Sequence, residues 1–200
     1  MRCKPDIIRQ VTMAWYPRLG LPLPFELINT TFAEAGQPRD ALASPEDLDQ
    51  WLRVNRDQFD SPLPAASTTA ELTPFRQLRQ ALRDAFTAVA AGAAPRARDL
   101  ELLNEISATA PRFARLEWTR KTRRVRMENV AENAHANALA TVARGAIELL
   151  GGPGVERIGH CHRPGCVLLY LKDRRDSQWC SATCGNRARV ARHYARSRQR

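Results

Sequence analysis

The sequence predicts an α+β protein, mainly helical, made of an N-terminal helical domain with a small β-hairpin over residues 22–150 and a small C-terminal module over residues 155–200. Three patterns predict it. Apolar residues recur at three- and four-residue steps through much of the N-terminal part, which is the helical period. Residues 111–127 change to apolar–polar alternation, the period of a strand pair. Near the C-terminus Cys161, Cys166, Cys180 and Cys184 stand in a C-x4-C, x13, C-x3-C arrangement. Two close cysteine pairs separated by a hairpin-length segment suit a tetrahedral ion, because each pair spans neighbouring corners and the chain between has only to return to its start. The expected occupant is one structural Zn2+, held by a β-hairpin followed by a helix.

At 200 residues the chain is long enough for a conventional core beside a metal-stapled unit. Its net charge of +10 is uneven: from Glu156 onward, eleven Lys/Arg face only Glu156, Asp173 and Asp176. A concentrated positive field attracts polyanions, of which nucleic acid is the commonest inside a cell. There is no long unbroken apolar run and no secretory-leader pattern at the N-terminus, so no membrane partner and a cytoplasmic location are expected. A reducing compartment also suits thiolate ligands. Cys3, the remaining cysteine, is expected to be an inert thiol.

Taken in order, Pro22 and Pro24 predict an extended approach to a short apolar helix through Phe25, Leu27, Ile28 and Phe32, carrying Asn29, Thr30 and Thr31. Ser44-Pro45-Glu46-Asp47 predicts a helix start: a capping hydroxyl, a proline whose missing N–H costs nothing there, and two acids at the positive end of the dipole. Residues 60–69, with Pro62 and Pro64, read as a loop. Thr73-Pro74 repeats the start signal, and Leu72, Phe75, Leu78, Leu82, Phe86 and Val89 carry a core helix to Gly92. Arg76, Arg79 and Arg83 lie along it, either as a solvated face or as a clamp for a ligand carboxylate or phosphate.

A short helix over 99–106 is expected to bury Leu100, Leu103 and Ile106. The alternating stretch predicts a hairpin whose many arginines either protect exposed strand edges or add to a nucleic-acid surface. Val130 to Leu150 predict a long Ala-rich helix, its small residues allowing close packing in the core or across a homodimer. His135 is expected on its polar side as a hydrogen-bonded surface residue. Gly151-Gly152-Pro153-Gly154 stops the helix, and the domain boundary is placed at Gly154.

Beyond it, Pro164-Gly165 turns the chain between Cys161 and Cys166, Val167 to Leu171 form a strand, and Asp173 to Asp176 supply the next turn. Ser181 is the expected cap of the last helix, so that Cys184 binds metal from its first turn. On a helical wheel Arg189, Arg192, His193 and Arg196 share one arc, opposite Ala188, Val190, Ala191, Tyr194 and Ala195. The second arc is expected to pack on the module and the first to meet phosphates, with Arg187 near the metal and Arg198 in the tail. His160 and His162 adjoin Cys161 and are expected at the surface or behind the ligands. Four thiolates close the shell of a zinc ion, which makes it structural rather than catalytic. No H-E-x-x-H, G-x-S-x-G or phosphate-cradling loop is present, and the chain is not expected to be an enzyme.

The run Cys184-Gly185-Asn186-Arg187, with Trp179-Cys180-Ser181 before it, closely resembles the bacterial CGNR zinc-finger family. Upstream, Phe25 to Thr30 with its Asn29-Thr30 pair, Leu42 to Leu52 ending in Trp51-Leu52, Leu78-Arg79-Gln80-Ala81-Leu82, and Leu102-Leu103-Asn104 resemble the ABATE domain, that family's usual N-terminal partner. The resemblance implies that Cys161, Cys166, Cys180 and Cys184 are the zinc ligands of a stress-related transcription regulator whose N-terminal domain senses a small molecule. Asn29 and Thr30 are then candidate effector contacts, joined by Arg76 and Arg79 from the clamp reading. The alternative for Asn29-Thr30 is a buried tie between helix ends. The chain departs from the family pattern in a Cys180–Cys184 spacing one residue shorter, and in Lys172 where an aspartate is usual.

The function expected is zinc-dependent regulation of transcription, with Asn186, Arg187, Arg189, Arg192 and Arg196 contacting DNA. A small-molecule effector and a homodimer are the further partners expected. A zinc-stabilised RNA-binding or protein-interaction module is the alternative, and an enzyme working from the N-terminal domain the more remote one.

Overall fold

The structure, a computed structural model, describes residues 12, 13, 15–130 and 132–197; Cys3 and Arg198 lie outside them. Two short strands, β1 (Thr12–Met13) and β2 (Pro17–Arg18), pair antiparallel. Pro22, in extended conformation, leads into α1 (Leu23–Ile28), all of whose residues are buried. Asn29 ends that helix, and the chain then turns into a hairpin of β3 (Thr31–Glu34) and β4 (Gln37–Asp40). Phe32 is therefore in a strand rather than in the predicted helix. Ala35 and Gly36 both have positive φ, 49° and 82°, the two-residue loop that matches strand twist. Alanine in the first of these positions hides the turn from sequence inspection, because asparagine, aspartate or glycine is the usual signal there.

Helix α2 (Pro45–Val54) begins as predicted: the Ser44 hydroxyl accepts from the Asp47 N–H, and the Asp47 carboxylate accepts from the Ser44 N–H at 2.9 Å. It carries Trp51 into the core, edge-on to Phe59 and Phe75. Helix α3 (Thr69–Ala90) starts a turn earlier than predicted. The same reciprocal cap is formed by Thr68 and Glu71, and Pro74 lies inside the helix, where it forfeits one backbone bond. In α4 (Ala97–Ala108) the buried stripe is Asp99, Leu103 and Ile106, at steps of four and three; Leu100 stands off that stripe and is exposed, contrary to expectation. Asp99 lies beside Arg96 and Arg98, which compensates its burial.

The predicted hairpin forms from β5 (Arg112–Trp118) and β6 (Arg123–Asn129). Helix α5 (Ala134–Gly151) is capped by Asn133, whose side-chain oxygen accepts from the Ala136 N–H at 3.0 Å. Val130, predicted within that helix, precedes it and is exposed. The C-terminal part contains β7 (Ile158–His160) paired with β8 (Leu169–Leu171), and α6 (Ala182–Ser197). Helix α3 packs against α1, α2, α4 and α5 and also against β7 and β8. One continuous apolar core thus runs from Phe25, Leu78 and Val142 to Ile158, Leu169 and Tyr170.

Two polar residues tie the C-terminal strands to this core. The Asn29 side-chain amide donates to the Leu169 carbonyl at 2.9 Å, and its oxygen accepts from the Leu169 N–H at 3.1 Å. The amide thereby replaces a missing neighbouring strand, satisfying both backbone groups of a buried residue. Arg83 reaches across the same junction, donating to the carbonyls of Ile28, of Thr31 at 2.9 Å and of Val167 at 3.1 Å. Burial, with Arg79 close by, lowers its pKa. The solvated-face expectation fails for Arg79 and Arg83. Arg79 is buried and grips Asp40 with both terminal nitrogens, while Arg76 is half-exposed beside the same carboxylate at 3.4 Å.

Glu26 is also buried, accepting from the N–H groups of Leu19 and Leu21 at 3.2 and 2.8 Å and from the Tyr16 hydroxyl at 3.2 Å. Burial raises its pKa above the ordinary 4.5, more than these donors lower it. The folded chain then holds this proton more tightly than the unfolded chain. The carboxyl's contribution to stability is full below pH 4.5 and declines as pH rises through the elevated folded value. Calorimetry of wild type and Glu26→Gln should show the difference in melting temperature moving against wild type as pH rises from about 4 to 7. A second expectation concerns the junction. Asn29→Ala leaves the Leu169 N–H and carbonyl unpaired, so chemical denaturation should show a loss of about 2–4 kcal/mol.

Candidate metal centre and its basic helix

Each ligand position has a local cause. Cys161 follows β7, its N–H donating to the Leu168 carbonyl at 3.0 Å. Gly165, with φ of 74°, supplies the left-handed residue that turns the chain back to Cys166. Cys180 returns beside Cys161, its N–H 3.5 Å from the Cys161 sulfur. Ser181 caps α6 by accepting from the Cys184 N–H at 3.2 Å, which puts Cys184 in the first helical turn as predicted. All four cysteines are buried, and their sulfurs lie within 4.8 Å of one another.

The distances test the fit to zinc. Zn–S bonds of about 2.3 Å at tetrahedral angles place sulfurs about 3.8 Å apart. Three of the six separations are 3.5 Å for Cys180–Cys184, 3.9 Å for Cys166–Cys180 and 4.0 Å for Cys166–Cys184. They bracket the tetrahedral value and are far too long for a disulfide. The short Cys180–Cys184 spacing is therefore compatible with tetrahedral geometry. Bound zinc supplies a closed anchor joining the β7–β8 hairpin to the start of α6, with no open position for a substrate.

The thiols titrate as a group. The Cys184 thiol is held far below the ordinary range by hydrogen bonding with Cys161, then Cys166 and Cys180. Cys166 is lowered to about 7, first by its contact with Cys161. Cys161 and Cys180 are pushed up, by Cys166 and by Cys161 respectively before any other cause. Arg163 faces the cluster: burial works to lower its pKa, but the hydrogen bond and charge of Cys184 and the charge of Cys166 outweigh it. Arg163 was not among the residues predicted for the site. Its place in the loop between Cys161 and Cys166 was the available signal. His160 and His162 are exposed and stand outside the sulfur cluster.

Trp179 sets the base of α6. A side chain at Gly185 would meet its ring at 3.4 Å, and the Arg192 guanidinium lies over that ring at 5.8 Å. Arg189 donates to the Asn186 side-chain oxygen. Of the arc predicted to pack on the module, Ala188 is buried, but Val190 and Tyr194 are 53% and 66% exposed. The small module supports only the first turns, and the rest of the helix stands clear of it. Asn186, Arg187, Arg189, Arg192 and Arg196 are all exposed. Arg187, expected near the metal, follows Cys184 by three residues in α6 and is exposed.

Of the four candidate effector contacts, Thr30, Arg76 and Arg79 come together around Asp40, with Arg79 donating to the Thr30 hydroxyl at 3.0 Å. Asn29 instead faces the C-terminal strands. Asp40 was missed because the β3–β4 hairpin that delivers it was missed.

Residues 21–153 match ABATE, a family described as "Putative stress-induced transcription regulator". The chain belongs to the ABATE family. Residues 157–197 of this ABATE protein match the CGNR zinc finger. No curated protein matches the chain. Among the described residues no helix of the ABATE protein is long and apolar enough to cross a membrane.

One zinc per chain is expected by metal analysis, and Cys184→Ser should lose it together with protection of residues 158–184 against hydrogen exchange. Arg163→Ala should keep the fold and weaken zinc affinity about tenfold in competition with a chromophoric chelator, as expected for loss of a group that supports the ligands.

Proposed function

We propose that this protein regulates transcription by placing the zinc-anchored α6 against DNA, with Asn186, Arg187, Arg189, Arg192 and Arg196 at phosphates or base edges. The observation that carries this is the exposure of α6 beyond its first turns combined with its charge: it contains four arginines and no acid. A helix of 16 residues is about 24 Å long and narrow enough for the major groove, which is about 12 Å wide. The contacts of Arg189 with Asn186 and of Arg192 with Trp179 restrict the two side chains before binding and so reduce the entropy lost on contact. The metal's role in this scheme is to fix the helix.

The effector part of the proposal has a narrower basis. Asn29, Thr30 and Arg79 spend their polar groups on the chain itself, which leaves half-exposed Arg76 beside Asp40 best placed to meet a small anion. An effector acting there would be coupled to the zinc module through Thr30, Asn29 and Arg83. An enzyme built on a Ser67–His135 nucleophile pair is disfavoured by one contact. Ser67 donates to Asp49 at 2.6 Å and lies 2.9 Å from His135 Nε2, so its proton is directed away from the histidine that would have to accept it.

Binding of the zinc-loaded chain to duplex DNA should weaken steeply with salt. Arg196→Ala should reduce the slope of log affinity against log salt by about 0.9, the loss of one phosphate contact. Salt-independent binding would overturn the proposal. Equal competition by random duplex and RNA would favour the alternative RNA-binding or protein-interaction module.

A further inference from the structure

The β5–β6 hairpin has no part in the metal centre or in α6. Its register places Leu116 and Trp118 on the same face as Met127, Val125 and Arg123, since side chains alternate along each strand and paired residues share a side. On that face Leu116 is 63%, Trp118 67%, Val125 66% and Met127 43% exposed. The other face carries ion pairs beside Phe113, which is 46% exposed. There Arg115 pairs with Glu128 at 3.0 Å, and Arg124 and Arg126 both approach Glu117. Edge protection accounts for the arginines but not for the apolar face. Nucleic acid would account for the charge, yet its interfaces are polar and strongly basic, which four large apolar side chains do not match.

We propose that this apolar face is a homodimer arm, two copies of the chain packing their hairpins face to face and antiparallel about a two-fold axis. The face offers roughly 500 Å² per copy, so two copies bury about 1,000 Å², the lower bound for a specific interface. The charges set the direction. Arg120 and Lys121 at the hairpin tip are exposed and form no ion pair among the described residues, and Arg123 beside them lies over Trp118 at 5.0 Å. At the root, Asp60, Arg126, Glu128, Asn129 and Glu132 line a recess of about 370 Å³; Asp60 is paired with Arg112 and Glu128 with Arg115, while the exposed Glu132 forms no ion pair among the described residues. A seven-residue strand spans about 24 Å. With the axis near Leu116 and Val125, antiparallel packing brings the cationic tip of one copy toward Glu132 at the root of the other. Parallel packing would set tip against tip and is opposed by like charge.

Sedimentation equilibrium of the full zinc-loaded chain, without DNA, tests this independently of the DNA proposal. Wild type is expected to be a dimer at micromolar concentration. Leu116→Glu combined with Val125→Glu is expected to be a monomer with unchanged zinc content and far-ultraviolet circular dichroism, because neither side chain is part of the core of the single chain. Lys121→Glu and Glu132→Lys should each raise the dimer dissociation constant about tenfold, and the double variant should recover most of the loss. A wild type that stays monomeric at roughly 100 µM overturns the proposal. So does a dimer that tolerates the Leu116 and Val125 changes. A monomer whose DNA affinity falls on those changes assigns the hairpin to nucleic acid instead, and charge reversals without effect overturn the antiparallel arrangement.

Discussion

The pairing of the Asn29 side chain with both backbone groups of Leu169 is the constraint on which the arrangement of this molecule depends. A three-residue strand such as β8 has one hydrogen-bonded neighbour, β7, and its other edge faces the end of α1. Left unpaired in a buried position, the N–H and carbonyl of Leu169 would each cost as much as a lost hydrogen bond. An asparagine amide has the same donor–acceptor pair as a peptide and serves as a one-residue strand. Arg83 reinforces the junction by donating to carbonyls on both sides of it. The zinc module is consequently seated on α1 and α3, and its strands complete the apolar core of the N-terminal part.

That seating separates what the metal does from what the core does. Ile158, Leu169 and Tyr170 anchor the β7–β8 hairpin by burial. The segment from Gln178 to Cys184 has less apolar surface to hold it, and here the thiolates take over, joining Cys180 and Cys184 to Cys161 and Cys166. The orientation of α6 therefore follows from ligand geometry and from Trp179 against Gly185, while most of the helix remains free. A rigid base with an unpacked extension suits a helix that meets its partner in a groove, since a helix packed along its length would have one face fewer to offer.

Much of this was legible in the residues. Helix starts with a hydroxyl cap, the alternating hairpin, the cysteine spacing and the Ser181 cap each have a local chemical cause, and local causes are what a sequence displays. The metal centre was legible in its four cysteines. What escaped was non-local. The β3–β4 turn carries an alanine where the usual signal is absent, and without that hairpin Asp40 could not be placed beside Arg79. The start of α3 was misplaced because Thr73-Pro74 imitates a cap that Thr68 and Glu71 form in fact. Arg79 and Arg83 looked like a solvated face because a helical period reports spacing, whereas their burial depends on segments far away in sequence. The packing of α6 was overstated for a similar reason: a wheel sorts residues by angle but does not tell how far the supporting module extends.

The junction at Asn29 and Leu169 joins residues 140 positions apart, and this bears on how the chain matures during synthesis. At typical translation rates, on the order of ten residues per second, α1 waits roughly ten seconds or more for the strand that covers its end. In that interval the apolar residues that β7 and β8 will shield lie open to chaperones and to other nascent chains. The last ligand, Cys184, emerges later still, so zinc capture is a late step. Nascent-chain quality control and metal supply therefore meet at one point in the life of this protein, the emergence of α6 from the ribosome.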